Sequence, residues 1–280
     1  MIKARSAEPS VNITLVSDIH LEHLPDSVTI IDFVGNVKSP YLVIAGDLGW
    51  PTKPNYVNFI SQASGLYSKV FVVTGNHEYY ADNPVRKNTM SQIDRLITEI
   101  CEKFPNVYFL NNQSSHLDSN TVILGMTMWS DIRPDEEYAV ENTINDYNYV
   151  YVGGSYYRSV VTANMIKQIH LSSVKWLKAQ LVIHSDKNVI IVTHHMPTYQ
   201  LIAEQYADSG LNSSYATNLE YVMESNPNII GWLCGHTHTA NSVKINNCQC
   251  VTNPVGYTHE KNTSFRDKII QLDKYFPSSL

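Results

Sequence analysis

Hydrophobic residues in this chain fall into short continuous runs, and between the runs lie longer segments in which apolar residues recur every three or four positions. The runs are rich in Val and Ile, which is typical of strands buried on both faces of a sheet. They predict strands at 13–17, 41–45, 70–74, 107–110, 122–126, 189–193, 229–233 and 248–252. We therefore expect sheets that are covered on both faces.

Helices are predicted between several of these strands. At 90–100 the apolar residues recur at steps of three and four, and Pro105 follows as a stop. Two further helices are predicted at 160–181 and 216–224. Strands that alternate with helices indicate βαβ units and an α/β fold in which helices cover the sheets.

One segment interrupts this alternation. No internal repeat, low-complexity tract or linker divides the chain, so we interpret it as a single domain, 1–280, with an insertion or lid at about 130–159. The insertion is polar and rich in tyrosine: Tyr138, Tyr147, Tyr149, Tyr151, Tyr156 and Tyr157. It is either a surface excursion that packs its own tyrosines or a lid or substrate wall, since long connections often carry binding residues.

Composition excludes several classes of protein. Of the 280 residues 43% are hydrophobic and 16% charged, as in a globular protein with a sizeable core. The formal net charge of −6 gives no long-range attraction to nucleic acid or anionic membranes, so a nucleic-acid substrate would need a local basic groove. No run of about 18 apolar residues predicts a transmembrane helix, and Asp18 and His20 interrupt the first apolar stretch too early for a secretory signal.

The cysteines show no disulfide framework and fit a reducing, cytoplasmic location. They are Cys101, Cys234, Cys248 and Cys250. The pair Cys248 and Cys250 could join nearby histidines in a zinc site, but structural zinc usually needs a longer spacing between cysteines. Buried strand thiols are the favoured interpretation.

Polar residues typical of metal ligands follow five of the apolar runs. They are Asp18-Ile19-His20, Gly46-Asp47, Gly75-Asn76-His77-Glu78, His194-His195 and Gly235-His236-Thr237-His238. In open α/β sheets the ends of buried strands converge on a ligand crevice. Carboxylates mixed with imidazoles suit Mn²⁺, Fe or Zn²⁺ better than Ca²⁺ or Mg²⁺ alone, and a central carboxylate such as Asp47 can bridge two cations about 3.5–4 Å apart.

These five segments resemble the signature of the calcineurin-like metallophosphoesterase superfamily, which is D-x-H, G-D, G-N-H-[ED], a strand-end His, and G-H-x-H. Similarity to single-domain members of bacterial or viral type extends over nearly the whole chain, for example at Thr193-His194-His195-Met196-Pro197. The resemblance implies an α/β fold that is a four-layer αββα sandwich of two mixed β-sheets flanked by helices. The metals would lie at one edge.

The resemblance also implies the ligand set. One divalent metal ion would be held by Asp18, His20, Asp47 and His238, and the other by Asp47, Asn76, His194 and His236. The metals would be Mn, Fe or Zn. Between the adjacent His194 and His195, the family pattern favours His194.

The implied reaction is in-line attack by a metal-bridging hydroxide on a phosphoester. His77 would protonate the leaving oxygen or stabilise the phosphoryl group, in line with the need for an acid poised near neutral pH, and Asp47 would take part as the bridge. Glu78 would orient a neighbour rather than bind metal. Substrate contacts are predicted for His195, Asn145, Trp129 and Tyr257.

Departures from the family patterns narrow the range of expected substrates. The segment after Asp47 lacks the arginine with which protein Ser/Thr phosphatases clamp phosphate, and Trp50 stands where purple acid phosphatases have a metal-binding Tyr. We expect a phosphoester hydrolase for a small phosphoester or nucleotide, with a slight preference for diesters. Three alternatives stay open: a phosphomonoesterase acting on metabolites or proteins, a nuclease, and a non-catalytic metal-binding scaffold. The sequence does not indicate the oligomeric state.

Overall fold

Two mixed β-sheets stacked face to face form the centre of the structure, a computed structural model that describes residues 10–35, 39–80, 88–154, 157–260 and 269–275. The strands of the described residues are β1 (Val11–Val16), β2 (Tyr41–Ala45), β3 (Lys69–Val73), β4 (Val107–Phe109), β5 (Gln113–His116), β6 (Thr121–Gly125), β7 (Tyr151–Gly153), β8 (Arg158–Val160), β9 (Asn188–Val192), β10 (Ile229–Cys234), β11 (Ser242–Ile245), β12 (Cys248–Thr252) and β13 (Ile269–Leu272). The helices are α1 (Ile31–Val34), α2 (Pro54–Leu66), α3 (Met90–Cys101), α4 (Glu137–Thr143), α5 (Asp146–Tyr149), α6 (Ala163–Ile183) and α7 (Glu220–Ser225).

The first sheet has the strand order β13-β1-β2-β3-β4, and only β13 runs antiparallel to its neighbour. The second has the order β11-β12-β10-β9-β6-β5, in which the four central strands are parallel and the two edge strands antiparallel. A small hairpin of β7 and β8 stands apart. In both large sheets, therefore, the central parallel strands present their carboxyl ends at one edge.

Side-chain alternation along the central strands explains the continuous apolar runs. In β2, Val43 and Ala45 face the core between the two sheets, whereas Leu42 and Ile44 face the helices α1 to α3. In β9 the inner residues are Ile190 and Val192, and the outer ones pack against α6 and α7. Helices thus cover both outer faces, and the predicted four-layer αββα sandwich is confirmed.

All eight strands predicted from the apolar runs are present within about two residues, and the helices at 90–100 and 160–181 within about three. The third predicted helix, at 216–224, begins only at Glu220, because Ala216 pairs with Met196 in a β-bridge. Sequence patterning missed the other five described strands, β5, β7, β8, β11 and β13. Of these, β5 and β11 are edge strands with mostly exposed side chains and so lack an apolar run.

The segment at 130–159 forms α4, α5, β7 and part of β8 in its described residues. Its chain pairs with the region after β3 through the bridges Tyr80 to Val150 and Thr89 to Tyr151. Tyr147 is buried, whereas Tyr138 and Tyr157 are exposed; Tyr156 lies outside the described residues. None of the described helices combines the length and the apolar composition that crossing a membrane requires.

Candidate metal centre and active site

The predicted ligand residues lie where the carboxyl ends of β1, β2, β3, β9 and β10 meet at one edge of the sandwich. Backbone hydrogen bonds join the two sheets there: the N–H groups of Val255 and Gly256 donate to the carbonyls of Ser17 and Asp18, both at 2.9 Å. Ser17 also pairs with Pro254 in a parallel β-bridge. Residues that are far apart in the sequence are therefore held against each other by the main chain.

Five of these residues have left-handed backbone conformations, with φ between 49° and 84°: Asp18, His20, Asp47, His236 and His238. Such angles are uncommon outside glycine and cost of order 1–3 kcal/mol each. Backbone bonds hold them, since the N–H of Asp18 donates to the carbonyl of Gly46 and that of His20 to the carbonyl of Asp47, both at 3.0 Å. These strained turns direct the five side chains toward one another at the edge of the sandwich.

A first cluster is formed by Asp18, His20 and His238. The Nε2 atoms of the two histidines are 3.1 Å apart, and His238 Nε2 lies 3.5 Å from Asp18 Oδ1. Asp47 Oδ2 lies 3.8 Å from His20 Nε2. One ligand atom each of Asp18, His20 and His238 fits within 4.8 Å, a spacing able to hold a metal ion.

A second cluster surrounds His194, which is fully buried. Its Nε2 lies 3.1 Å from Asn76 Oδ1, 3.0 Å from His236 Nδ1 and 3.3 Å from Asp47 Oδ2. Ligand atoms of Asp47, His194 and His236 again fall within 4.8 Å. The same carboxylate oxygen of Asp47 thus borders both clusters.

The atoms of these candidate ligands that point away from the clusters already have hydrogen-bond partners. Nδ1 of His194 lies 2.9 Å from the carbonyl oxygen of Ala45, and Nδ1 of His238 lies 2.7 Å from Glu260 Oε2. The side-chain amide of Asn76 donates to Asp146 Oδ1 at 2.8 Å. A proton held on the outer nitrogen leaves the inner nitrogen free to bind a cation, and this outer support is typical of metal-binding histidines. The donor set therefore fits divalent metals.

Charge in the cluster favours ionised carboxylates. Burial raises the pKa of Asp47, but the neighbouring His194 and His77 outweigh it and hold that pKa well below its usual range. The same balance, with His238 and His194 as partners, lowers the pKa of Asp18. Two buried carboxylates that stay charged suit cation binding.

His77 lies beside the clusters and faces a cavity. Its backbone N–H donates to Asp47 Oδ1 at 2.9 Å, and its Nε2 lies 3.1 Å from the hydroxyl of Tyr257. Burial lowers the pKa of His77, but the charge of Asp47 and the hydrogen bond to Glu22 raise it above the ordinary value. The imidazolium is therefore favoured, as an acid needs.

A cavity of about 480 Å³ opens over the clusters. Asp47, Asn76, His77, His236 and His238 form its floor, and the predicted substrate contacts Asn145 and Tyr257 lie in its walls. A second cavity of about 600 Å³ shares Tyr257 with the first, also contacts His20, and is lined mainly by apolar side chains. The cavity of about 480 Å³ brings four candidate ligands together with Asn145 and Tyr257, whereas the second cavity has His20 as its one candidate ligand among the described residues.

Two of the predicted substrate contacts lie behind the ligands rather than along this cavity. His195 and Trp129 are 1% and 2% exposed. The His195 ring packs 4.3 Å from that of His236, and Trp129 packs 5.1 Å from His195. Burial lowers the pKa of His195 to about 3. His195 thus packs against the candidate ligand His236, and Trp129 packs behind His195.

Glu78, predicted to orient a neighbour, accepts hydrogen bonds from the backbone N–H groups of Asp47, Leu48 and Gly75 at 2.7–3.1 Å. It fixes two strand ends to each other.

The thiols of Cys248 and Cys250 are 3.9 Å apart and buried, and among the described residues none of the groups spaced to hold a metal ion includes a cysteine.

Sequence reasoning missed one acidic residue and undervalued another. Glu22 contacts His20 and His77, and the available signal was its position two residues beyond His20, which continues the alternation of Asp-x-His. Asp146 supports Asn76 and accepts from the hydroxyl of Tyr80 at 2.7 Å. The sequence gives no local sign of this role, because Asp146 lies 70 positions from Asn76.

Comparison with known proteins agrees with this geometry. A family model described as calcineurin-like phosphoesterase matches residues 11–240. The uncharacterized protein L509 of Acanthamoeba polyphaga mimivirus is 30% identical over 280 residues, covering 95% of this chain and 98% of that protein. The chain belongs to the calcineurin-like phosphoesterase family, and its activity is that of a metal-dependent phosphoesterase.

Solved structures share the fold. A phosphopantetheinyl hydrolase from Mycobacterium tuberculosis superposes with a TM-score of 0.69 at 18% identity, covering 97% of this chain and 99% of that one. The protein TT1561 of Thermus thermophilus gives a TM-score of 0.53 at 13% identity, with 88% and 89% covered. At these identities the likeness supports the fold.

Proposed function

We propose that this chain is a dinuclear-metal-dependent phosphoester hydrolase with a slight preference for phosphodiester or nucleotide substrates. The observation that carries the proposal is the position of Asp47 Oδ2, which lies 3.8 Å from His20 Nε2 in the first cluster and 3.3 Å from His194 Nε2 in the second. A carboxylate oxygen shared by two ligand clusters is the arrangement that a bridged pair of metals requires.

In this proposal one metal is held by Asp18, His20, Asp47 and His238, and the other by Asp47, Asn76, His194 and His236. Bound divalent ions, whether Mn, Fe or Zn, supply Lewis-acid polarisation of the phosphoryl oxygens and an acidic water as nucleophile. The surrounding residues orient these ligands through the hydrogen bonds described above.

The remaining chemistry belongs to the residues of the cavity. His77 donates the proton from Nε2 to the leaving oxygen, because His77 lines the cavity and its Nε2 lies toward the hydroxyl of Tyr257 in the cavity wall. Tyr257, whose hydroxyl is 3.1 Å from the same nitrogen, orients the ring or the leaving group. Asn145 and Tyr257 contact the substrate in the walls.

The lining of the cavity supports the preference for diesters. Among its described residues there is no Lys or Arg, whereas several are aromatic: Tyr80, Tyr206, Tyr215 and Tyr257. A monoester dianion would gain from a clamping cation, while a diester carries one charge fewer and an organic group on each side. The phosphopantetheinyl hydrolase with the same fold is a precedent for a small phosphoester substrate. Phosphomonoesterase activity is the alternative.

The test is hydrolysis of 4-nitrophenyl phosphate and bis(4-nitrophenyl) phosphate by the Mn²⁺-loaded protein, together with its metal content. Asp47→Asn and His77→Ala should each lose diester turnover, by about 10²-fold or more, and Asp47→Asn should also lose bound metal. Matched exposed substitutions, Asp186→Asn and His116→Ala, control for the loss of a charge or a ring elsewhere.

Each outcome assigns the function. Diester turnover with two ions per chain supports the proposal, and turnover of monoesters alone moves the substrate to phosphorylated metabolites or proteins. A wild type that is inert on both substrates and binds less than one ion per chain would instead favour the non-catalytic scaffold. A cytoplasmic location is part of the proposal, and it is supported by four cysteines that are all free and buried.

A further inference from the structure

A buried carboxylate lies between a proposed metal ligand and the proposed acid. The side chain of Glu22 is 0% exposed, and its Oε1 lies 3.0 Å from His20 Nδ1 and 3.2 Å from His77 Nδ1. The two rings meet edge to face with centroids 4.5 Å apart. Among the described residues, the side-chain hydrogen bonds of Glu22 are with imidazoles alone.

This contact fixes which nitrogen of each ring is available. A carboxylate accepts, so each ring must place a proton on Nδ1. The Nε2 of His20 is then free to face His238 and Asp47, at 3.1 and 3.8 Å. The Nε2 of His77 faces the hydroxyl of Tyr257 and the cavity. One oxygen thereby sets the inward atom of both rings.

The backbone around Glu22 is built to hold it there. Glu22 lies in the 3₁₀ turn Leu21–His23, whose Leu21 N–H donates to the Leu48 carbonyl at 2.9 Å. The side-chain amide of Asn55 donates to the Leu21 carbonyl at 2.8 Å. Gly49, with φ of 148°, leaves the space that the turn occupies, since a Cβ there would lie 2.8 Å from Leu21 Cβ and 3.1 Å from Glu22 Oε2.

We propose that Glu22 is a positioning residue whose carboxylate oxygen orients the metal ligand His20 and the acid His77 together. The inference rests on the proposed function, because it assigns Glu22 a part in the same site. Glu22 links metal retention at the first cluster to proton donation, so removing it impairs both.

Glu260 provides a matched comparison. Its Oε2 lies 2.7 Å from Nδ1 of His238, another ligand of the first cluster. The same oxygen also accepts from the backbone N–H of Tyr257 at 2.8 Å, and among the described residues Glu260 makes no direct hydrogen bond with His77. Loss of Glu260 should therefore weaken metal binding through His238 while the hydrogen bond of Glu22 to Nδ1 of His77 stays in place, whereas loss of Glu22 should affect both the metal site and the acid.

The experiment compares Glu22→Ala, Glu22→Gln and Glu260→Ala by two measurements. The first is the affinity of each Mn²⁺ site, from equilibrium dialysis and metal analysis. Loss of an orienting partner typically costs 10–100-fold in metal affinity, so both alanine variants should weaken one of the two sites by that factor. Glu22→Gln, whose amide oxygen still accepts hydrogen bonds, should recover most of the loss.

The second measurement is the dependence of kcat on the leaving group at saturating Mn²⁺, with phenyl and 4-nitrophenyl diesters. Only the poorer leaving group, phenoxide, needs protonation strongly. Glu22→Ala should therefore slow the phenyl ester about tenfold more than the 4-nitrophenyl ester, which is less than the 10²–10⁴-fold that an acid contributes in full because His77 itself remains. Glu260→Ala should slow both equally, and Glu22→Ala should add no further leaving-group effect when His77→Ala is present.

The failures of the two proposals are distinguishable. If the wild type is active and Glu22→Ala shows the same leaving-group dependence and metal affinity as wild type, the positioning role is wrong and the proposed function stands. If the wild type hydrolyses neither ester, the proposed function fails, and the metal affinities alone decide whether Glu22 orients His20. A general folding defect would appear as a lowered melting temperature in chelator and would not produce the leaving-group difference.

Discussion

A methyl group added at Gly75 should displace the carboxylate proposed to join the two metals. A Cβ built on Gly75 would overlap Oδ1 of Asp47 and lie 2.8 Å from both Cγ and N of that residue. The φ of Gly75 is not in the left-handed range, so Gly75→Ala carries little conformational cost of its own. The effect is steric and is directed at one residue, Asp47, through both its side chain and its backbone nitrogen.

Its magnitude follows from these distances. Ordinary van der Waals contact begins near 3.4 Å, so Asp47 must move by about 0.6 Å or more, whereas metal–ligand distances tolerate only about 0.2 Å. Misplacement by about 1 Å can cost 10²-fold in rate. We expect Gly75→Ala to weaken binding of both ions by about 10²-fold, or about 2.7 kcal/mol, because Asp47 borders both clusters.

The assay is competitive Mn²⁺ titration against a chelator, followed by metal analysis. Gly65→Ala is the matched control: Gly65 lies in α2, a Cβ there would meet nothing within 4 Å, and alanine should stabilise the helix by about 0.5–1 kcal/mol. If folded Gly75→Ala keeps two ions at wild-type affinity, Asp47 does not bind metal at the position described.

Three further predictions concern stability. Removal of metal by a chelator should lower the melting temperature, since each ion at about 100 times its Kd contributes about 2.7 kcal/mol; an unchanged melting temperature would contradict resident metals. Burial raises the pKa of Asp94 from 3.8 to about 6, so its contribution to stability is complete below about pH 4 and is lost as the pH rises through 6. The free energy of unfolding of Asp94→Asn, measured in urea at pH 7, should therefore exceed that of the wild type by about 1–3 kcal/mol. This difference should shrink at pH 4, and the control Glu99→Gln, at an exposed position on the same helix, should not show it. Thr162 caps α6 by accepting from the N–H of Met165 at 3.2 Å, so Thr162→Ala should cost about 1 kcal/mol of unfolding free energy without changing metal content.

Much of the fold could be predicted because its strands are buried on both faces. A run such as 41–45 became β2 without any shift of its bounds, since the alternate residues of such a strand enter two different apolar cores. The edge strand β5 and the helix α2 gave no comparable signal, because one is mostly exposed and the other carries its apolar residues among polar ones. Their places depend on neighbours that local patterning does not contain.

The candidate site likewise contains some residues that the sequence could predict and others that it could not. Asp18, Asp47 and His194 could be selected because each follows an apolar run and has the chemistry of a metal ligand. Nothing local distinguished Glu22 from an ordinary acidic residue of a loop. Its importance comes from His77, which is 55 positions away in the chain.

The sequence by itself determined which segments form the buried strands and which ligand residues follow them, because burial periodicity and side-chain chemistry are local properties. Only the tertiary structure decided that Asp47 borders both clusters, that one oxygen of Glu22 contacts two rings, and that His195 lies behind His236. The tertiary structure also brings together residues as far apart as Asp18 and His236, which are 218 positions apart and in hydrogen-bond contact. These relations depend on how the two sheets stack and where their strand ends meet. The packing of the apolar cores between the layers sets this long-range geometry, and no local stretch of sequence contains it.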